Sequence, residues 1–159
     1  MNKKVSILMG SKSDLPIMEK AAEVLKEFNI DYDINVLSAH RTPHETIAHV
    51  ESSDADVFIA GAGGAAHLPG VIAGISIKPV IGIPINSSNS IKGIDSLLSI
   101  VQMPSGVPVA SVAIDGAKNA AILAIQMMGI SDDTIKDQLI AFKAKQKETV
   151  LATNNAVSA

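Results

Sequence analysis

At 159 residues the chain is of single-domain length, enough to bury roughly 70% of its unfolded surface, and its net charge of -3 argues against a phosphate-backbone binder. The absence of cysteine removes disulfides, thiolate nucleophiles and Cys-based zinc sites, and suits a reducing cytosol. Hydrophobic residues make up 47% of the chain against 18% charged, which predicts apolar surface that meets other subunits. The opening M-N-K-K-V-S-I-L-M-G is too short in its apolar part for a signal peptide, and no run approaches a membrane span, so a soluble, cytoplasmic protein is expected.

Taken in order, apolar strand-like runs at 5–9, 34–37, 57–60, 79–83 and 108–114 alternate with helical patterns, which predicts a parallel α/β sheet. The first helix is predicted over 15–28, with Pro16 in its first turn and a stripe of Ile17, Ala21, Val24, Leu25 and Phe28. Thr42-Pro43-His44-Glu45 fits a capping box, so the second helix begins at Pro43 and carries His44 and His49. A third helix starts at Leu68 with Val71, Ile72 and Ile75, and a fourth ends before Pro104. The stretch 117–128 is apolar apart from Lys118, Asn119 and Gln126 and predicts a helix buried on every face, ended by Gly129 in a left-handed turn. Ser131-Asp132-Asp133 caps a last amphipathic helix with Ile135, Leu139 and Phe142, and beyond about residue 151 a frayed or partner-held tail is expected. The whole of 1–159 is read as one domain, with an α/β core over about 4–145.

In a parallel sheet the ligand crevice lies beyond the carboxyl ends of the strands, so the first residues after each run carry the information. Val57 to Gly70 runs from a buried strand into bare backbone and then His67. Gly61, Gly63 and Gly64 remove side chains where a ligand can approach, although glycines also close ordinary strand-to-helix turns. Gly61-x-Gly63-x-x-Ala66 fits part of a dinucleotide fingerprint, but no Asp or Glu stands near residues 81–90 to hold a ribose, and two strands precede it, so NAD is rejected. Gly10-Ser11-Lys12-Ser13-Asp14 offers hydroxyls and free N–H groups for a phosphate at a helix start, or an N-cap by Ser13 or Asp14. Asp14 would repel a phosphate, which leaves it to cap the helix or to hold sugar hydroxyls. His40 and Arg41 lie on the loop at the crevice, where Arg41 suits an anion; a metal held by His40 and His44 lacks a third ligand. Asn86-Ser87-Ser88-Asn89-Ser90 is a polar loop able to close over a ligand.

Together, G-S-K-S-D at 10–14, S-A-H-R-T-P at 38–43, A-G-A-G-G-A-A-H-L-P-G at 60–70 and S-I-V-Q-M-P at 99–104 closely resemble the PurE family of 5-(carboxyamino)imidazole ribonucleotide mutases of purine synthesis. The resemblance covers about residues 4–145 and implies a flavodoxin-like three-layer α/β/α sandwich, a homo-octamer, no cofactor and no metal. By motif position it implies that His40 is the acid/base. It implies a ribonucleotide substrate bound by Ser11, Ser13, Asp14 and Arg41, with Ser38, Ala39, Gly63, Gly64, Ala65, His67 and Leu68 around the imidazole and the migrating carboxylate. It also implies a functional link to the ATP-dependent synthetase of the carboxyamino ribonucleotide, and no nucleic-acid or membrane partner. Where Arg41 follows the histidine, the animal-type carboxylase branch typically carries lysine, so A-H-R favours the mutase; Pro84-Ile85-Asn86-Ser87 departs from relatives with glutamine before the serine. A flavin carrier would need aromatics at the strand ends and a phosphoreceiver an Asp ending the third strand, where Gly61 stands instead.

Overall fold

The computed structural model describes residues 3–157. They fall into two compact units, one reaching Ala124 and the other beginning at Ile125.

The first unit is a five-stranded, all-parallel sheet in the order β2-β1-β3-β4-β5, the flavodoxin-like order in which the direction of winding reverses between β1 and β3. The strands are β1 (Lys4–Met9), β2 (Asp31–Val36), β3 (Val57–Gly63), β4 (Val80–Ile85) and β5 (Ala110–Ser111). Between them run α1 (Leu15–Glu27), α2 (Pro43–Ser52), α3 (Leu68–Ile75) and α4 (Ile94–Val101). β3 and β4 are continuous apolar runs, and β1 is buried from Val5 to Met9 with Ser6 as its one polar residue there, because both faces of the sheet are covered. On one face Leu8, Phe58, Ala60 and Val80 pack with Val50 of α2, Leu68 and Ile72 of α3 and Ile100 of α4. The opposite face takes α1: a Cβ on Gly61 would stand 2.3 Å from Met18 Sδ, so this glycine is where the helix sits down on the sheet. The three layers expected from sequence are therefore present.

Several boundaries moved for identifiable reasons. β3 continues through Ala62 and Gly63, which pair with Pro84 and Ile85, so the glycine-rich stretch begins as strand. β5 keeps only Ala110 and Ser111 of the predicted 108–114, since Pro108 brings no N–H to the ladder and β5 has only β4 as a neighbour. α2 starts at Pro43 as expected, but no capping box forms: the Thr42 hydroxyl accepts from Ser38 N–H at 2.8 Å and donates to Ser38 C=O at 3.1 Å, closing the loop instead. Neither Ser13 nor Asp14 caps α1 with its side chain; Ser11 Oγ accepts the Ser13 N–H across a short 3-10 turn over Lys12–Asp14.

α5 (Ala117–Gly129) runs across the boundary between the units. Ala117, Ala120, Ala121 and Ala124 are fully buried, whereas Ile122, Leu123 and Met127 are only partly covered, so the helix is not enclosed on every face within one chain. Gly129 ends it without a positive φ, contrary to the left-handed turn expected there. In the second unit Asp132 Oδ1 accepts the N–H groups of Thr134 and Ile135, an N-cap, and α6 (Asp133–Val157) continues past residue 151, where a tail was expected. Ile135 is buried, and Leu139 and Phe142 are half-buried. Among the described residues no helix is long and apolar enough to cross a membrane.

Candidate active site

The loops leaving the carboxyl ends of β1, β2, β3 and β4 converge on a cavity of about 430 Å³ that straddles the β1/β3 switch point. Its wall contains Ser11, Ser13 and Asp14 from the first loop, Ser38, Ala39, His40 and Arg41 from the second, and Gly63, Ala65, His67 and Leu68 from the third. All the site residues expected from sequence are thus brought together except Gly64, which is buried behind the wall.

The two histidines meet. His40 Nε2 stands 2.8 Å from His67 Nδ1, with the ring planes at 82° and the centroids 4.9 Å apart. His40 is held there by the short Ser38–Thr42 turn, His67 by its place immediately before α3, whose Val71 N–H bonds the His67 carbonyl. His44 is exposed on α2 and absent from the wall, so His40 faces a second imidazole and not the His44 considered from sequence.

Arg41 is aimed across the first two loops. Its Nη2 donates to the Gly10 carbonyl and its Nε to Ser38 Oγ at 3.3 Å, which holds the guanidinium beside the Ser11–Asp14 turn while leaving further N–H donors for a ligand. Ser13 Oγ donates to Ser11 Oγ at 3.0 Å, so the hydroxyls already form a chain at the mouth of α1. Asp14 is only 5% exposed, and burial holds its carboxyl above the ordinary value; hydrogen bonds from the Ser13 hydroxyl and the Ser11 backbone, then the charge of Arg41, pull the other way. A group with acceptor capacity in that position suits sugar hydroxyls better than phosphate.

Ser87 and Asn89, from the polar loop after β4, complete the wall together with Gly10 and Ala62. The sequence marked the whole of 86–90 as a loop able to close over a ligand without singling out these two side chains. Their signal lay in the glycines opposite: a Cβ on Gly63 would fall 2.2 Å from Ser87 Oγ, and Gly64, at φ +63°, lies with its Cβ position 3.3 Å from Asn89 Nδ2. The bare backbone of 63 and 64 therefore admits the β4 loop, and that of Gly61 admits Met18; none of the three is bare merely for a ligand.

His49, the other helical histidine, belongs to a separate polar network: Ser6 Oγ donates to Asp33 Oδ1 at 2.6 Å and lies 2.9 Å from His49 Nε2. Ser6 is fully buried, so this Ser, His and Asp set links β1, β2 and α2 and does not present a nucleophile.

Comparison with known proteins gives the family and the fold. The family model described as AIR carboxylase matches residues 4–149. The N5-carboxyaminoimidazole ribonucleotide mutase of Pyrococcus abyssi is 55% identical over 147 residues, covering 91% of this chain and 84% of that protein. The enzyme of the same name from Vibrio parahaemolyticus is 51% identical over 158 residues, 96% of this chain and 97% of its own. The crystal structure of Treponema denticola PurE2-S38D superposes over the full length of both chains with a TM-score of 0.89 at 30% identity. Sequence motifs, strand order and these matches converge over the same residues, and the chain belongs to the AIR carboxylase family.

Proposed function

We propose that this chain is a mutase that moves the carboxyl group of 5-(carboxyamino)imidazole ribonucleotide from the exocyclic nitrogen to ring carbon 4, giving 4-carboxy-5-aminoimidazole ribonucleotide. The observation that carries this reading is one hydrogen-bonded imidazole pair, His40 and His67, in the wall of a pocket that also contains Arg41 and the Ser11 and Ser13 hydroxyls. The reaction has no net proton change. Cleavage of the carbamate C–N bond leaves its electron pair on nitrogen, releases carbon dioxide, and requires one proton, which His40 supplies. The enamine-like ring carbon then attacks carbon dioxide, and the proton lost from that carbon returns to His40. One histidine thus serves as acid and then as base, a task suited to a side chain whose ordinary titration lies near neutrality. Arg41 with Ser11 and Ser13 takes the phosphate, Asp14 the ribose hydroxyls, and the loop from Gly63 to Leu68 with Ser38 and Ala39 encloses the base, keeping carbon dioxide beside it.

The chain is further proposed to act as one functional domain in a homo-octamer in the cytoplasm, fed by an ATP-dependent synthetase that makes the labile carbamate. Assembly is supported by Ile94, Leu98 and Val101, which form one stripe along α4 and are 53%, 57% and 51% exposed in the single chain.

Single-turnover conversion in labelled bicarbonate tests the proposal. Transfer within the closed site gives product with little label on the first turnover. Full labelling, or efficient carboxylation of aminoimidazole ribonucleotide at low bicarbonate, would instead make the protein a carboxylase that uses carbon dioxide directly.

A further inference from the structure

We propose that Asn89, oriented by Ser87, is the residue that holds the migrating carboxyl group; the identity of that group rests on the reaction proposed above. Four observations lead there. Ser87 and Asn89 line the same cavity as His40, His67 and Arg41. Ser87 Oγ donates to Asn89 Oδ1 at 2.7 Å, which occupies the carbonyl side of the carboxamide and turns its NH2 donors elsewhere. The Asn89 Nδ2 stands 3.3 Å from where a Cβ on Gly64 would lie, between Gly63 and Ala65, which line the cavity together with the two histidines. The loop is also tied at both ends: at its start Asn86 N–H donates to Asp115 Oδ1 at 3.0 Å and Ser96 Oγ to the Ile85 carbonyl at 2.9 Å, and at its end Ser90 Oγ donates to Asp95 Oδ1 and accepts the Gly93 N–H at 2.8 Å. The amide is therefore presented by an anchored loop.

The distribution of charge within the wall explains why the donor is neutral. Arg41 is the one guanidinium there, on the side of the first two loops, and the β3–β4 side carries no lysine or arginine. The carboxyl group changes from an anion to uncharged carbon dioxide and back. A fixed cation beside it would favour the anionic ground state over the transition state for carbon–nitrogen cleavage, lowering KM and kcat together. An amide donor binds a carboxylate and tolerates carbon dioxide with far less bias.

The test compares the carboxylated product ribonucleotide with aminoimidazole ribonucleotide, which lacks the carboxyl group, by titration calorimetry on the full-length protein and on Asn89→Ala, Asn89→Asp and Asn89→Lys, each checked for parental thermal unfolding. We expect Asn89→Ala to weaken the carboxylated ligand about tenfold, as for loss of a hydrogen bond to a charged group. Asn89→Asp should weaken it more, and Asn89→Lys should tighten it while lowering kcat. The decarboxylated ligand should change less than about threefold in all three. Equal changes for both ligands, or no change for either, would overturn the assignment and leave Asn89 a loop residue. Because the binding comparison needs no turnover, a parent that binds both ligands without converting the carboxyamino ribonucleotide would refute the mutase proposal while still deciding the role of Asn89. Asn89→Asp binding the carboxylated ligand as tightly as the parent would likewise count against the proposal.

Discussion

His40 Nε2 and His67 Nδ1 share a single hydrogen across 2.8 Å, because only one of two facing ring nitrogens can carry it. When His40 is the acid, its Nε2–H donates to His67, which must then be neutral at Nδ1. The acceptor at that position can be imitated by the carbonyl oxygen of an asparagine but not by leucine. His67→Asn should retain kcat within about tenfold, while His67→Leu loses about 100-fold or more, since the proton donor is then held without its partner. Equal loss in both variants would show that the acceptor atom is not what matters.

His40→Asn should keep the fold and bind substrate while turnover falls by at least about 100-fold, the usual contribution of a positioned acid/base. Steady-state kinetics with a parallel measurement of substrate affinity checks this. Turnover within tenfold of the parent would remove His40 from proton transfer.

Arg41→Ala should weaken the ribonucleotide about 10- to 100-fold but its dephosphorylated nucleoside far less, because the lost contact is a charge-assisted one to phosphate. The Gly10 carbonyl and Ser38 Oγ that now orient the guanidinium remain available to water at the rim. Equal losses for both ligands would place the phosphate elsewhere.

Asp14→Asn should raise the thermal midpoint at pH 7 and weaken substrate binding. Burial lifts the folded-state value of the Asp14 carboxyl above the ordinary 3.8, so the folded protein binds more protons than the unfolded chain between the two values. The carboxyl's favourable contribution is complete below 3.8 and is lost as the pH rises through the folded-state value. The advantage of the asparagine variant should therefore narrow as the pH is lowered toward 3.8. A thermal scan at several pH values reads the sign; a lower midpoint at pH 7 would contradict it.

Gly61→Ala and Gly63→Ala should separate stability from function within one strand. At Gly61 the new methyl meets Met18 Sδ and Ile85 Cδ1 inside the core, an overpacking cost of about 1 kcal/mol, at the low end because both are side-chain tips. At Gly63 it meets Ser87, which must move with the loop that carries Asn89, so affinity should fall more than stability. Denaturant unfolding and substrate titration of the two variants give the comparison.

The central strands and the three loops after them were legible from sequence because β3 and β4 are continuous apolar runs and β1 nearly so, and because the residues after them carry chemistry that has no reason to sit in a core; β2, mostly exposed and polar at Asp31 and Asp33, was read only from Ile34 on. Position along the chain also located His40, Arg41 and Asp14 at one crevice. What was not legible was pairing across the crevice. The spacing of 40 and 67 says nothing about one ring meeting the other, and the glycines at 61, 63 and 64 look alike in sequence although one seats Met18, one makes room for Ser87 and one turns left-handed beneath Asn89. The Thr42 hydroxyl fits the capping-box pattern yet closes its own loop, since Ser38 offers both a donor and an acceptor four residues back. Ser87 and Asn89 were passed over individually because a run of serines and asparagines gives no hint of which side chain faces inward.

The bond from Asn86 N–H to Asp115 Oδ1 joins a loop to a residue far later in the chain. Synthesis proceeds from the N-terminus, so β1 to β4 and the histidines leave the ribosome first, and Asp115 follows Asn89 by roughly one to five seconds at ordinary translation rates. During that interval the nascent chain already contains His40, His67 and Arg41, and the Ser96 bond to the Ile85 carbonyl, but lacks the Asp115 bond to Asn86. The Asp115 bond to Asn86 is therefore the last of the contacts holding the loop after β4 to become available as the chain is made.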